Sequence, residues 1–139
     1  MARYKEKDIR GPPLGEPWIW LTRELLESDA WRSRSVNCMR LIDRLMVEHM
    51  AHAGTENGNL GATYDDFLDY GISRKYVPGA ICEAESRGLI QVKRGLKKGG
   101  KNAMHRYRLT FFPVKRMAGI ASVYEPATND WRRYREKHQ

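Results

Sequence analysis

The stretch GLKKGGKN, residues 95–102, can be read in two ways. Gly95, four residues, Gly100 and Lys101 make most of the G-x-x-x-x-G-K-[ST] pattern of a nucleotide-binding P-loop. The same residues suit the tip of a basic β-hairpin. Both readings concern phosphate, but one predicts an NTPase and the other a nucleic-acid-binding surface. The flanking residues decide between them. A P-loop needs a helix straight after its Gly-Lys, so that the helix N-terminus can hold phosphate, and a Ser or Thr to reach magnesium. Here Asn102 takes the Ser/Thr place, and no Asp after an apolar strand follows to act as a Walker B residue. MHRYRLTFF (104–112) alternates, with Tyr107, Leu109 and Phe111 on one face and Arg106, Arg108 and Thr110 on the other, which is the period of a strand. LIQVKR (89–94) is also strand-like. The stretch therefore links two antiparallel strands. Its glycines form the turn, and Lys97, Lys98 and Lys101 are its charges.

Upstream of this hairpin the pattern is helical. SVNCMRLIDRLMVEHMAHAG (35–54) carries Cys38, Ile42, Leu45, Met46, His49 and Met50 at three- and four-residue steps, one apolar stripe. Ser35 can cap this helix and Gly54 can end it. TENGN (55–59) reads as a turn, with Asn57-Gly58 suited to positive φ, and Leu60 as the start of a very short strand. In TYDDFLDYG (63–71), Thr63 is an N-cap, Asp65 and Asp66 favour the positive helix start, and Gly71 stops the helix. After Ile72, Ser73 caps again. A second helix then runs to Gly88 with Val77, Ala80, Ile81 and Ala84 on one face. Pro78 falls near its fifth position, where it should remove a hydrogen bond and bend the first turn. Two short helices joined through Gly71-Ile72 make a helix-turn-helix pattern.

The chain has 139 residues, of which 41% are hydrophobic and 30% charged, enough for one packed domain with appended segments. No apolar run approaches the roughly 18 residues of a membrane span. The start, MARYKEKDIRGPP, has no apolar core of a secretory signal, so a cytoplasmic location is expected, nucleoid-associated when bound to DNA. Cys38 and Cys82 lack any Cys-x-x-Cys spacing and read as small core residues of a reducing compartment.

A net charge of +8 and a pI near 9.7 favour a polyanionic partner. The charge is unevenly placed. Between Glu85 and Glu125 there is no acidic residue, while Arg87, Lys93, Arg94, Lys97, Lys98, Lys101, Arg106, Arg108, Lys115 and Arg116 fall in that interval. Tyr107, Phe111 and Phe112 interleave with them. This is the composition of a phosphate-binding surface rather than of a merely solvated face.

The ends are less legible. Residues 1–30 read as a basic arm (Arg3, Lys5, Lys7, Arg10) followed by an aromatic flap, with Trp18, Trp20 and Trp31 packing on the core and Thr22 capping a short helix through about Ser28. Residues 114–139 read as a basic extension, with a helix from about Asp130 capped by Asn129. This extension can pack back on the domain, mediate a homodimer or add phosphate contacts, and the residues do not choose among these. Glu48 and His52 lie one helical turn apart, but no third metal ligand stands at a useful spacing. Asp65, Asp66 and Asp69 are explained by capping and solvation, and no nucleophile–base pair is legible. No metal, cofactor or enzymatic activity is expected.

The order helix, short strand, helix, turn, helix, strand, basic loop, strand is that of a winged helix-turn-helix domain, an α+β fold that is mostly helical. NGNLGATYDDFLDYGISRKYVPGAICEAESRGLIQV (57–92) and YRLTFF (107–112) resemble the small winged-helix proteins of alphaproteobacterial chromosomes, plasmids and prophages. The resemblance extends through ESDAWRS, EHMAHAGTENG and PATNDWRRY. It implies that residues 31–113 bind double-stranded DNA, with the helix from Arg74 in the major groove. Ser73, Arg74, Lys75 and Tyr76 would reach base edges. Lys93, Arg94, Lys97, Lys98, Lys101, Asn102, Arg106 and Arg108 would follow the backbone or the minor groove. A transcriptional regulator is the leading expectation. A plasmid or phage replication or DNA-transfer accessory protein is the alternative within DNA binding, and a winged-helix protein-interaction module is the rival outside it.

Overall fold

Local capping chemistry sets most helix boundaries. The structure is a computed structural model and describes residues 11–95, 97–98, 101–102 and 104–137, with backbone alone at 97–98 and 101–102. The charges at positions 3, 5, 7 and 10 of the arm lie outside the described residues.

Thr22 caps α1 (Arg23–Glu27) by accepting from Leu25 N, as its residue type led one to expect. Ser28 ends α1 and caps α2 (Asp29–Arg32) by accepting from Trp31 N. Ser35 caps α3 (Val36–Ala51), whose buried stripe is Cys38, Leu41, Ile42, Leu45, Met46 and His49. The helix unwinds into Gly54, at φ +73°, whose N–H donates to His49 O. After β1 (Leu60–Gly61), Thr63 and Asp66 form a reciprocal capping box at the start of α4 (Tyr64–Asp69). Gly71, at φ +92°, turns the chain towards the next helix.

The Arg74–Gly88 region differs from expectation. Arg74–Tyr76 is a 3₁₀ turn, and the α-helix proper, α5, runs from Val77 to Ser86. Pro78 is thus the second residue of α5 and not its fifth. There its missing N–H costs no intrahelical bond, which removes the expected kink. Val77, Ala80, Ile81 and Ala84 are all buried.

β2 (Ile90–Lys93) pairs antiparallel with β5 (Arg106–Leu109), and β1 flanks β5 on its other side, giving the order β1-β5-β2. Beyond β2 the chain continues into a small ladder of β3 (Lys97–Lys98) and β4 (Lys101–Asn102). The strand reading therefore holds for Ile90–Lys93 and Arg106–Leu109, and strand rather than helix follows directly at Lys101–Asn102. Thr110, Phe111 and Phe112 lie past the end of β5, and Thr110, expected on the outer face, is fully buried with its hydroxyl donating to Gly88 O.

The segment after Pro113 forms a second hairpin, β6 (Val114–Ala118) and β7 (Ala121–Glu125), that the sequence reading did not contain. The expected helix at Asp130 is a 3₁₀ turn (Asp130–Arg133). Asn129 does not cap it: it has φ +50°, and its side chain accepts from Trp131 Nε1 instead. Trp131 is buried in the same hydrophobic cluster as Leu25, Ile42, Phe67, Ile81 and Tyr107. Of the alternatives open for the C-terminal segment, the one realised within a single chain is packing back on the domain. Gly88, at φ +74°, fits this junction, because a Cβ there would meet the Asp130 carbonyl carbon at 2.7 Å.

Cys38 is buried, and burial together with the neighbouring Glu83 pushes its thiol up to about 12. Cys82 is exposed on α5 and is not a core residue as expected, because the core-facing positions of that helix are taken by Val77, Ala80, Ile81 and Ala84.

Candidate nucleic-acid interface

The turn between α4 and α5 is fixed from beneath. Ile72 is buried, and the Arg40 guanidinium donates to Gly71 O at 2.8 Å. A Cβ at Gly71 would come within 3.0 Å of that guanidinium. With Ile72 anchored, the next four residues turn outward. Ser73, Arg74, Lys75 and Tyr76 are all exposed and contiguous. Ser73 makes no side-chain cap bond, and its carbonyl accepts from Tyr76 N at 2.8 Å. Arg74 reaches across to Asp65 at the start of α4, both side chains well exposed. An ion pair of that kind is worth about 0–1 kcal/mol, so it can be exchanged for a phosphate or a base. Lys75 Nζ lies 5.0 Å from the centre of the Tyr76 ring. Beyond this turn the outer face of α5 holds Pro78, Gly79, Cys82 and Ser86, with no long side chain.

The sheet contributes a second group. Cross-strand pairing places Lys93 opposite Arg106, and Gly61 on the far side of Arg106. Paired residues share a face, so Gln91, Lys93, Arg106 and Arg108 form the outer face, and Ile90, Tyr107 and Leu109 the core face. The Arg106 guanidinium lies over Gly61, where a Cβ would meet Nη1 at 2.5 Å. Arg94 is drawn back onto α5 by a two-pronged pair with Glu85, at 2.9 and 3.0 Å. The Arg94 contact holds the Glu85 carboxyl below its ordinary value. Gly95 N donates to His105 Nδ1 at 2.9 Å and closes the base of the hairpin.

Arg108 does not face solvent. Its side chain is 13% exposed, with Nη1 3.6 Å from Glu125 and Nη2 3.4 Å from Pro126 O. The C-terminal segment covers it. The side chains of Lys97, Lys98, Lys101 and Asn102 lie outside the described residues. Their backbones pair Lys97 with Asn102 and Lys98 with Lys101. The structure thus gathers Ser73–Tyr76 on one surface and Lys93 with Arg106 on another, while Arg94 and Arg108 are engaged by acids.

Sequence reasoning missed Asn57 as more than a turn residue. It is 3% exposed, and its side-chain amide joins the end of β5 to the turn before β6. It also missed Lys115 and Arg116 as members of a folded hairpin. Val114–Glu125 carries no apolar alternation to read, because both strands are nearly all exposed.

Among the described residues, no group of three or more His, Cys, Asp or Glu side chains is placed to hold a metal, and no helix is long and apolar enough to cross a membrane. Glu48 accepts from Arg44 at 2.9 Å and meets His52 at 3.0 Å. Burial alone would raise its carboxyl, but those two partners hold it below the ordinary value. His49 belongs to the buried stripe of α3, stacked on Phe112 at 4.9 Å, and its Nδ1 has no hydrogen-bond partner. No protein-family model, curated protein or solved structure matches the chain.

Proposed function

We propose that this chain is a winged helix-turn-helix protein that binds double-stranded DNA, acting as a transcriptional regulator without enzymatic activity or cofactor. One observation carries the reading. An acid-free basic segment of nearly forty residues (86–124), which contains the hairpin strands, follows α5, and the 3₁₀ turn that leads into α5 exposes Arg74, Lys75 and Tyr76 together. A basic hairpin beside an outward-turned helix start is the arrangement that grips phosphate while offering side chains to base edges. In this reading α4 and α5 are the helix-turn-helix and β2–β5 the wing. Arg74 pairs with a guanine in the major groove, and Tyr76 packs on a thymine methyl or bonds a phosphate. The wing lysines track the backbone.

The test is a mobility shift with random duplex DNA at low salt, followed by a salt titration. Wild-type protein is expected to shift the duplex. Each phosphate contact adds about 0.9 to the slope of log affinity against log salt. Replacing Lys97, Lys98 and Lys101 together by Ala should therefore flatten the slope by roughly 2 to 3. No shift at low salt would favour a protein-interaction module, and an unchanged slope would remove the wing from the interface.

A further inference from the structure

A cleft on the side formed by residues 15–20, the end of α3 and β7 plays no part in the duplex reading. Its volume is about 590 Å³, in the range of small-ligand sites. Trp18, Trp20 and Tyr124 form its walls and are 56%, 57% and 57% exposed. Phe112 and His49, stacked at 4.9 Å, form its floor. Trp20 meets Phe112 edge-on at 5.9 Å, and Trp18 leans on Trp20 at 6.4 Å. The two tryptophans are thereby held in place while still presenting more than half of their surface to water. The expected packing of Trp18 and Trp20 on the core is therefore only partial, and contiguous aromatic surface left open in this way is a feature of interaction sites and ligand grooves.

The charge beside the cleft indicates what would occupy it. Lys115 stands directly across from Tyr124 in the β6–β7 register, so the two side chains leave the hairpin on the same face. Lys115 has no acidic partner among the described residues, and residues 86–124 contain no acid at all. Glu16 is the one acidic residue that lines the cleft. Aromatic faces next to an unpaired cation suit a ligand that alternates flat π-surfaces with phosphates. A duplex keeps its base faces stacked inside and cannot offer them. We propose that this cleft is a stacking platform for unpaired bases, so that the chain binds single-stranded nucleic acid at a surface separate from Ser73–Tyr76 and the wing. This inference stands independently of duplex binding.

The test uses the full chain and a short fluorescent oligothymidylate, with random duplex measured in parallel. Base stacking on one aromatic side chain typically contributes about fivefold to a hundredfold in affinity. Trp18→Ala and Tyr124→Ala should each weaken oligothymidylate binding by about that factor and leave duplex affinity within twofold. Trp18 packs against Trp20, is more than half exposed and lies outside the hydrophobic core cluster, so its removal should leave the core intact. Trp18→Phe should restore most of the loss, and Lys115→Ala should lower the salt slope on the single strand by about 0.7. The proposal is overturned if the wild-type protein fails to bind oligothymidylate at low salt, or if both Ala variants bind it as well as wild type. It is also overturned if Trp18→Ala instead dissociates a dimer in sedimentation, which would make a second copy the occupant. Absence of duplex binding with single-strand binding retained would refute only the duplex-binding reading.

Discussion

Replacing Asn57 tests how the base of the wing is held. Thr110 N donates to Leu89 O across the β2 side of β5, so the N–H and C=O of the neighbouring Leu109 point the other way. On that side β1 has already ended at Leu60. The Asn57 amide takes the place of the missing strand residue. Its Oδ1 accepts from Leu109 N at 2.8 Å, and its Nδ2 donates to Leu109 O at 2.9 Å and to Phe112 O at 3.2 Å. In Asn57→Ala, at least two buried backbone groups lose their partners, at about 1–3 kcal/mol each. The expected loss is about 2–5 kcal/mol, a large share of the 5–15 kcal/mol usual for a domain. Asn57→Asp keeps the acceptor for Leu109 N but turns a second oxygen towards three carbonyls, those of Leu109, Phe112 and Pro113. At neutral pH it should cost at least as much as Ala. Burial and the facing carbonyls raise the folded pKa of this new carboxyl above its unfolded value. Its stabilising contribution is therefore fully present only below the unfolded pKa and is lost as pH rises through the folded one. Urea unfolding of both variants at neutral and acidic pH, with the m-value as a check on two-state behaviour, measures this. A loss under about 1 kcal/mol in Asn57→Ala, or an Asp variant whose deficit does not shrink on acidification, would refute the strand-mimic argument.

Three further outcomes are expected. Arg74→Ala should narrow the affinity gap between a selected duplex and random duplex, by about 1–3 kcal/mol if the contact is a bidentate guanine pair, whereas Lys97→Ala should lower both affinities and leave the gap intact; binding of both variants to both duplexes at one salt concentration decides this. Gly79 has no neighbour within 4 Å of a built Cβ, so Gly79→Ala should stabilise the fold by about 0.5–1 kcal/mol in thermal unfolding and yet weaken duplex binding where the outer face of α5 approaches DNA closely. Burial lowers the His49 pKa below its ordinary 6.5, so the stability this residue contributes is complete above 6.5 and is lost as pH falls through the folded value; the unfolding midpoint of wild type should fall relative to that of His49→Leu on acidification across that window.

The helices were legible because each carries its boundary in one or two local residues. Ser35, Thr63 and Gly71 act within three or four positions, and apolar spacing alone named the buried faces of α3 and α5. Pro78 was misread because a 3₁₀ turn and an α-helix share the same side-chain pattern at their junction. What determines the difference is where Ile72 is anchored, a tertiary fact. Arg108 was placed on an open face by strand alternation, correctly as to side, but the alternation could not say that Glu125 and Pro126 return to cover it. Asn57 was read through its local turn chemistry, whereas its role is set by Leu109, fifty-two residues away. The β6–β7 hairpin escaped notice because its strands are nearly all exposed and carry no buried stripe from which to read a period.

The returning C-terminal segment also shapes the charge of the sheet. On the outer face, the end far from the wing is met by acids. Asp130 accepts from Gln91 at 3.0 Å, and Glu125 takes both Arg108 and Arg116. At the wing end, Lys93 and Arg106 sit opposite each other with no acidic partner among the described residues. The two Glu125 ion pairs are partly exposed and individually worth little to stability, while Asp130 sets a negative charge beside the neutral Gln91. Their joint effect is to cancel positive charge on one half of the face and leave it on the other. The open positive charge of the sheet then lies at Lys93 and Arg106, where β2 ends and β5 begins. A phosphate backbone approaching the sheet would meet attraction at the wing and a neutralised surface behind it. The segment that sequence reading left unassigned thus gives the basic surface a direction.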